Sequence, residues 1–162
     1  MSPLESRIRP ATPADVGTLL ALIRGLAEYE RLEDQLEVTT ERLATALFGE
    51  RPVAEAVLAE AEDQVVGFAL FFTNFSTFLG LPGLYLEDLY VRPEFRGRGH
   101  GTALLRHLAR LARDRGCGRF EWSVLDWNEP AQRFYQAHGA SILPDWRICR
   151  VTGEALQRLG GA

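Results

Sequence analysis

Arg96-Gly97-Arg98-Gly99-His100-Gly101-Thr102 is the stretch on which the fold turns. It follows an apolar run at residues 84–91. After it, Leu104, Leu105, Leu108, Leu111 and Ala112 form a stripe opposite Arg106, Arg110 and Arg113. The expected succession is a strand, a glycine-rich turn and an amphipathic helix ending near Gly116. Glycines let the backbone turn tightly with N–H groups converging, and a helix N-terminus adds positive potential, so such a turn suits a phosphate or pyrophosphate. Three nucleotide patterns compete for it. A Walker loop needs Gly-Lys-Ser/Thr, and the chain contains no lysine. A dinucleotide fingerprint needs glycine where Thr102 stands. The third pattern, Arg-x-x-Gly-x-Gly/Ala, is met by Arg96, Gly99 and Gly101.

Working outward, Arg7-Ile8-Arg9 reads as a short strand. Thr12-Pro13-Ala14-Asp15 reads as a helix start, with Thr at the cap, Pro at the first position and an acid at the third. Val16, Leu19, Leu20, Ile23, Leu26 and Ala27 follow at helical spacing. A shorter helix is expected from near Thr39 to Phe48, then strands over 54–60 and 64–75 joined by a polar turn. Beyond the glycine-rich helix come a strand over 120–125, a helix capped by Asn128 and stopping at Gly139, and a last strand over 146–152. Antiparallel strands followed by alternating helices and strands predict one α+β (mixed α/β) domain over residues 1–162, a central sheet flanked by helices.

Composition narrows the function. With 162 residues and 46% apolar content, the chain suits one domain and is too apolar for disorder. No window approaches the ~18 apolar residues of a membrane span. The N-terminus shows no signal peptide, so the cytoplasm is expected. The net charge of −4 argues against nucleic-acid binding. Residues 1–81 hold 13 acids against 6 arginines, net −7, and residues 82–162 hold 9 acids against 12 arginines, net +3. That asymmetry hints at an anionic ligand on the C-terminal half and a cationic one on the N-terminal half. Cys117 and Cys149 make neither a disulfide framework nor a zinc site. His100, His107 and His138 lack ligand spacing, so no metal is expected.

The heptad resembles the pyrophosphate loop of the GNAT superfamily of acetyl-CoA-dependent N-acetyltransferases. Ile8-Arg9-Pro10-Ala11-Thr12, Leu26-Ala27-Glu28-Tyr29-Glu30, Tyr85-Leu86-Glu87-Asp88-Leu89-Tyr90-Val91 and Trp127-Asn128-Glu129-Pro130 through Phe134-Tyr135 are similar to its diamine (spermidine/spermine) branch. Val124-Leu125-Asp126-Trp127-Asn128 and Phe75-Ser76-Thr77-Phe78 are closer to the thialysine-acetylating relatives. The resemblance implies acetyl-CoA as cosubstrate, direct transfer in a ternary complex and a homodimer. It implies cofactor contacts from the backbone of Leu89, Tyr90 and Val91, which requires a locally splayed strand. It also implies contacts from residues 96–102, with Arg96 or Arg98 adding charge, and from Asn128, Glu129, Pro130 and Ala131.

Two residues carry the expected chemistry. A primary amine has a pKa near 10.4 and must lose a proton before it attacks a thioester. Glu87, in an apolar strand and on the face of Tyr85, Leu89 and Val91, is the expected base. Asp88, on the opposite face, reads as a structural carboxylate. The resemblance places the general acid at Tyr135, whose phenol can return a proton to the departing thiolate. The acceptor site falls on Tyr29 and Glu30, within a rim that also holds Glu28, Glu33, Asp34 and Glu37, so a cationic amine is expected. Polyamine acetylators carry an Asp and a Trp where this chain has Ser76 and Phe78, which tilts the expectation toward thialysine-like or short amines. The alternatives are another acceptor, such as a protein N-terminus bound along Phe68, Phe71, Phe72, Phe75 and Phe78, or a non-catalytic acetyl-CoA-binding domain.

Overall fold

The structure, a computed structural model, describes residues 6–161. The N-terminal stretch read above as lacking a leader lies largely outside the described residues. Contacts gather the chain into two compact units, one up to Ser123 and one from Val124.

The first unit is a five-stranded sheet in chain order: β1 (Arg7–Pro10), β2 (Glu55–Ala61), β3 (Gln64–Ser76), β4 (Leu81–Val91) and β5 (Arg119–Trp122). Neighbours are antiparallel except β4 and β5, which are parallel and joined through α3 (His100–Asp114). Between β1 and β2 run α1 (Val16–Glu30) and α2 (Thr40–Phe48). Hence the expected central sheet with flanking helices forms, and β4 starts three residues earlier than the apolar run suggested.

The two faces bury different helices. Val16, Leu19 and Leu20 of α1 with Leu43 and Leu47 of α2 pack against Leu58, Phe68 and Tyr90. Leu104, Leu105 and Leu108 of α3 are buried, and that helix packs against β2, β3 and β4. Each such fully buried Leu or Phe contributes about 1.5–3 kcal/mol. The entry to α1 is a single 3-10 turn, Pro13–Asp15, rather than the α-helix expected from Thr12. Asp15 accepts the Thr12 N–H at 2.7 Å and both Arg9 Nη atoms at 2.8 and 2.9 Å. Arg9 also pairs with Glu60, so one guanidinium ties β1 to β2 and to the start of α1.

The second unit holds α4 (Glu129–Ala137) and α5 (Gly153–Gly160). The strand expected over 146–152 is a correction: no strand is assigned there. Alternating Trp146, Ile148 and Arg150 is a pattern without a ladder, because a strand needs a partner to exchange hydrogen bonds, and no described segment pairs with it. The α5 helix went unforeseen.

Candidate active site

The sheet is built to open beside β4. Pairing with β5 covers Gly83 to Leu86 and stops at Leu86 opposite Trp122, whereas pairing with β3 continues to Val91 opposite Gly67. The backbone of Leu89, Tyr90 and Val91 is therefore held on one side only, the splay that a cofactor arm requires.

Where β5 stops, β4 also changes phase. Leu86 pairs with Phe71 and Asp88 with Leu70, so Glu87 has no partner of its own and forms a β-bulge. This corrects the expected faces. Leu86 and Leu89 share a face across the bulge. Asp88 and Tyr90 lie opposite Leu70 and Phe68, on the face that α1 covers. Tyr85, opposite Phe72, shares that face with Asp88, whereas strict alternation sets the two on opposite faces.

The carboxylates feel one another. Burial, then the charges of Glu87 and Glu30, push Asp88 up to about 7. Burial, then the charge of Glu87, raises Glu30 as well. Glu87 itself is exposed. Asp88 has no hydrogen-bonded or ionic partner among the described residues, so the expected structural carboxylate bonded to backbone or arginine is not what forms. A desolvated acid beside two like charges matches instead the pattern that tunes carboxyls for proton transfer near neutral pH.

Helix α1 brings the acceptor candidates to this cluster. It ends at Glu30 because Arg31 adopts a left-handed φ of 60° and turns its N–H back to the Ala27 and Glu28 carbonyls. Tyr29 and Glu30 therefore sit in the last turn, where the helix dipole is negative and favours a cation. Gly25, one turn earlier, lets β4 approach: a Cβ there would lie 2.5 Å from Tyr90 Oη. The Arg96 guanidinium lies 4.8 Å from the centre of the Tyr29 ring and 5.4 Å from that of Tyr90, while its Nε donates to Val91 O at 2.9 Å. The side chain thus bridges Tyr29 of α1 and Tyr90 of β4, beside the loop expected to hold a pyrophosphate.

The glycine-rich loop takes the expected form. Gly97 and Gly99 have φ of 76° and 89°, values that other residues adopt only under strain, and Gly99 caps α3. The first bond into the helix runs from Ala103 N–H to Gly99 O at 2.9 Å. The turn before it presents N–H groups with no carbonyl one turn back, the arrangement that binds anions. No atom lies within 4 Å of where a Cβ at Gly97 or Gly99 would stand, so the loop leaves room for a phosphate to approach the backbone. These features fit the pyrophosphate of acetyl-CoA. Gly101 and Thr102 belong to the first turn of α3. Arg98 is paired with Glu62 at 3.1 Å and lies over Phe95, 5.2 Å from its centre. His100 is buried, with Nδ1 2.6 Å from Ser6 Oγ, and burial lowers its pKa. Nothing in the sequence marked that histidine as anchored.

The second unit carries the remaining candidates. Asn128 caps α4, its Oδ1 accepting from Ala131 N–H at 3.3 Å, so the first-turn residues Glu129, Pro130 and Ala131 are fixed as a helix start. Tyr135 sits two turns along α4, with its ring 5.4 Å from Phe134. The aromatic run separates. Phe68 and Phe71 are buried in the core, while Phe75 and Phe78, at the β3–β4 hairpin, are 65% and 96% exposed. They do not form the continuous groove wall that a peptide acceptor would use. Among the described residues no group of three or more His, Cys, Asp or Glu is placed to hold a metal, and no helix is long and apolar enough to cross a membrane.

Known proteins agree with this geometry. Thialysine N-epsilon-acetyltransferase of Bos taurus is 43% identical over 165 residues, covering 95% of this chain and 96% of that protein. L-ornithine N5-acetyltransferase of Arabidopsis thaliana is 35% identical, with 95% and 87% covered. In three dimensions, an integron cassette protein from the mobile metagenome of V. cholerae superimposes with a TM-score of 0.82 at 27% identity, covering 97% of this chain and 98% of that one. Residues 20–140 match the acetyltransferase (GNAT) family, which implies acetyl-CoA as the acyl donor. Splayed strand, pyrophosphate-type loop and full-length relatives converge: this chain is an N-acetyltransferase and belongs to the acetyltransferase (GNAT) family.

Proposed function

We propose that this enzyme acetylates the primary amine of a small cationic acceptor, a thialysine-like amino acid, a diamine or a polyamine, by direct transfer in a ternary complex. The observation that carries the reading is the clustering of Glu30, Glu87 and Asp88 where β4 leaves β5. The names of the relatives, which act on thialysine and ornithine, point the same way.

Acetyl-CoA supplies an activated thioester. The backbone N–H groups of the loop and of the first turn of α3, residues 97–102, hold its pyrophosphate, with the backbone of Leu89, Tyr90 and Val91 and the start of α4 at Asn128, Glu129, Pro130 and Ala131 as further contacts. The ammonium of the acceptor is drawn to Tyr29 and Glu30 by the acidic cluster and the end of α1. Glu87, the accessible carboxylate, takes its proton. Asp88 behind it, with a pKa near neutrality, keeps the pair able to accept a proton at physiological pH. The Tyr135 hydroxyl returns a proton to the departing thiolate. Residues 1–162 act as one catalytic domain, the enzyme is a cytoplasmic homodimer, and no metal takes part.

The experiment is a screen of amines against acetyl-CoA with free thiol as the readout. Turnover with thialysine, ornithine or a short diamine is the expected result, and a strong preference for neutral or anionic acceptors refutes it.

A further inference from the structure

Bare and anchored residues alternate along the glycine-rich loop. Gly97 and Gly99 have positive φ and no atom within 4 Å of where a Cβ would stand. The residues that follow each of them are tied down. Arg98 reaches Glu62, in the turn between β2 and β3, at 3.1 Å and lies over the Phe95 ring. His100, the first residue of α3, turns inward and is 3% exposed. Its Nδ1 lies 2.6 Å from Ser6 Oγ, just before β1, and its ring meets the buried Phe95 edge-on with centres 6.3 Å apart.

From this arrangement, and resting on the assignment of the loop to the pyrophosphate of acetyl-CoA, we infer that His100 is the positioning residue of the loop: through Ser6 and Phe95, its side chain holds the backbone N–H groups in the arrangement that receives the pyrophosphate.

Gly97, Gly99 and Gly101 give the turn wide backbone freedom, and only a few of its conformations aim several N–H groups at one point. A loop that orders only when the ligand arrives loses that freedom on binding, whereas one ordered in advance does not. The two anchors differ in strength. The Arg98–Glu62 pair is exposed on both sides and screened by water and salt. The His100 bond is sheltered, and it acts on the residue whose own N–H opens the helix and is among its free donors. If the ring left its pocket, that N–H would turn with it. Burial and then the charge of Arg98, against the opposing charge of Glu62, lower the pKa of the ring, so it is neutral at pH 7. It therefore contributes position and not charge.

Calorimetry of coenzyme A binding to the full chain at pH 8 tests the inference. His100→Leu keeps the bulk and removes the bond, and should bind coenzyme A about three- to tenfold more weakly, the scale of one hydrogen bond. His100→Asn, whose amide reaches the place of Nδ1, should recover most of that affinity. Ser6→Ala should weaken binding in the same direction, and adding it to His100→Leu should cause no further loss. Hydrogen exchange in the free protein supplies a second readout. The Ala103 amide, bonded to Gly99 O at 2.9 Å, should exchange faster in His100→Leu while amides in the middle of β3 keep their rates. Equal acceleration in β3 marks a general loss of stability and overturns the inference, as does unchanged affinity in His100→Leu or full additivity with Ser6→Ala. Gly99→Val separates the two levels. If it weakens binding and His100→Leu does not, the role of His100 falls and the loop assignment stands; if neither weakens binding, both fall.

Discussion

Replacing Asp88 by Asn should make this protein more stable and less active, and the gain should depend on pH. Asp88 is a half-buried carboxyl that burial and the charges of Glu87 and Glu30 raise from 3.8 to about 7. Above pH 7 the folded state must hold it ionised against burial and two like charges, which the unfolded chain does not. Between the two pKa values the folded state binds more protons than the unfolded one, so the contribution of Asp88 to stability falls as pH rises through that window, and the full penalty stands above 7. A rise of about 3 units at 1.36 kcal/mol each sets a ceiling near 4 kcal/mol. The site opens toward solvent at Glu87, and relaxation lowers the gain to about 1–3 kcal/mol at pH 8. Asn keeps the shape and gives up no protein hydrogen bond. Urea unfolding from pH 5 to 8.5 provides the assay. The midpoint of Asp88→Asn should exceed that of the wild type at pH 8, and the gap should close as pH falls toward the ordinary carboxylate range. A gap independent of pH, or a variant less stable at every pH, refutes the reasoning.

Other expectations follow from the same geometry. Gly99→Val places a β-branched residue at a φ of 89°, which costs about 1–3 kcal/mol of strain and crowds the loop, so acetyl-CoA affinity by calorimetry should drop at least tenfold; unchanged affinity in a folded variant removes the loop assignment. Tyr135→Phe deletes one hydroxyl, and kcat should fall by ~10²–10⁴ with folding intact by circular dichroism, whereas near-wild-type turnover in single-turnover mixing excludes it as the acid. Glu30→Gln removes one of the charges that raise Asp88. The amine KM should rise several-fold, about 1 kcal/mol in Coulomb terms, and the acidic limb of the kcat/KM profile should move to lower pH; a profile that stays in place uncouples the two groups.

How much of this could be read beforehand depends on whether the signal was local. The glycine loop, the Asn128 cap and the buried stripe of α3 follow from neighbours in sequence, and they form as expected. The bulge was also written in the chain. Apolar residues fall on Leu84 and Leu86 and then on Leu89 and Val91, a slip from even to odd positions that only an extra residue explains. Strict alternation was imposed across the slip, and Tyr85 was placed on the face of Leu89 and Val91 when it shares that of Asp88. The position of Arg96 was not legible, because its loop motif is a local signal while its side chain meets a helix about seventy residues earlier. The missing strand at 146–152 fails for the complementary reason, since alternation specifies a face but not the partner that completes a ladder.

The phase change in β4 divides one strand into two regimes of mutational tolerance. Gly83 to Leu86 is locked between β3 and β5, with Leu84 and Leu86 nearly inaccessible to solvent, so substitutions there act on the folded population. The next five residues answer to one neighbouring strand, and changes there act on what the folded protein can do. A lineage altering its acceptor can rewrite the second half without reopening the first, because the unpaired residue absorbs the register that the two halves do not share. Deleting Glu87 would fuse the regimes: the alternation would run unbroken from Leu86 into Asp88, every later side chain would keep its face, and the register could no longer be adjusted between the halves.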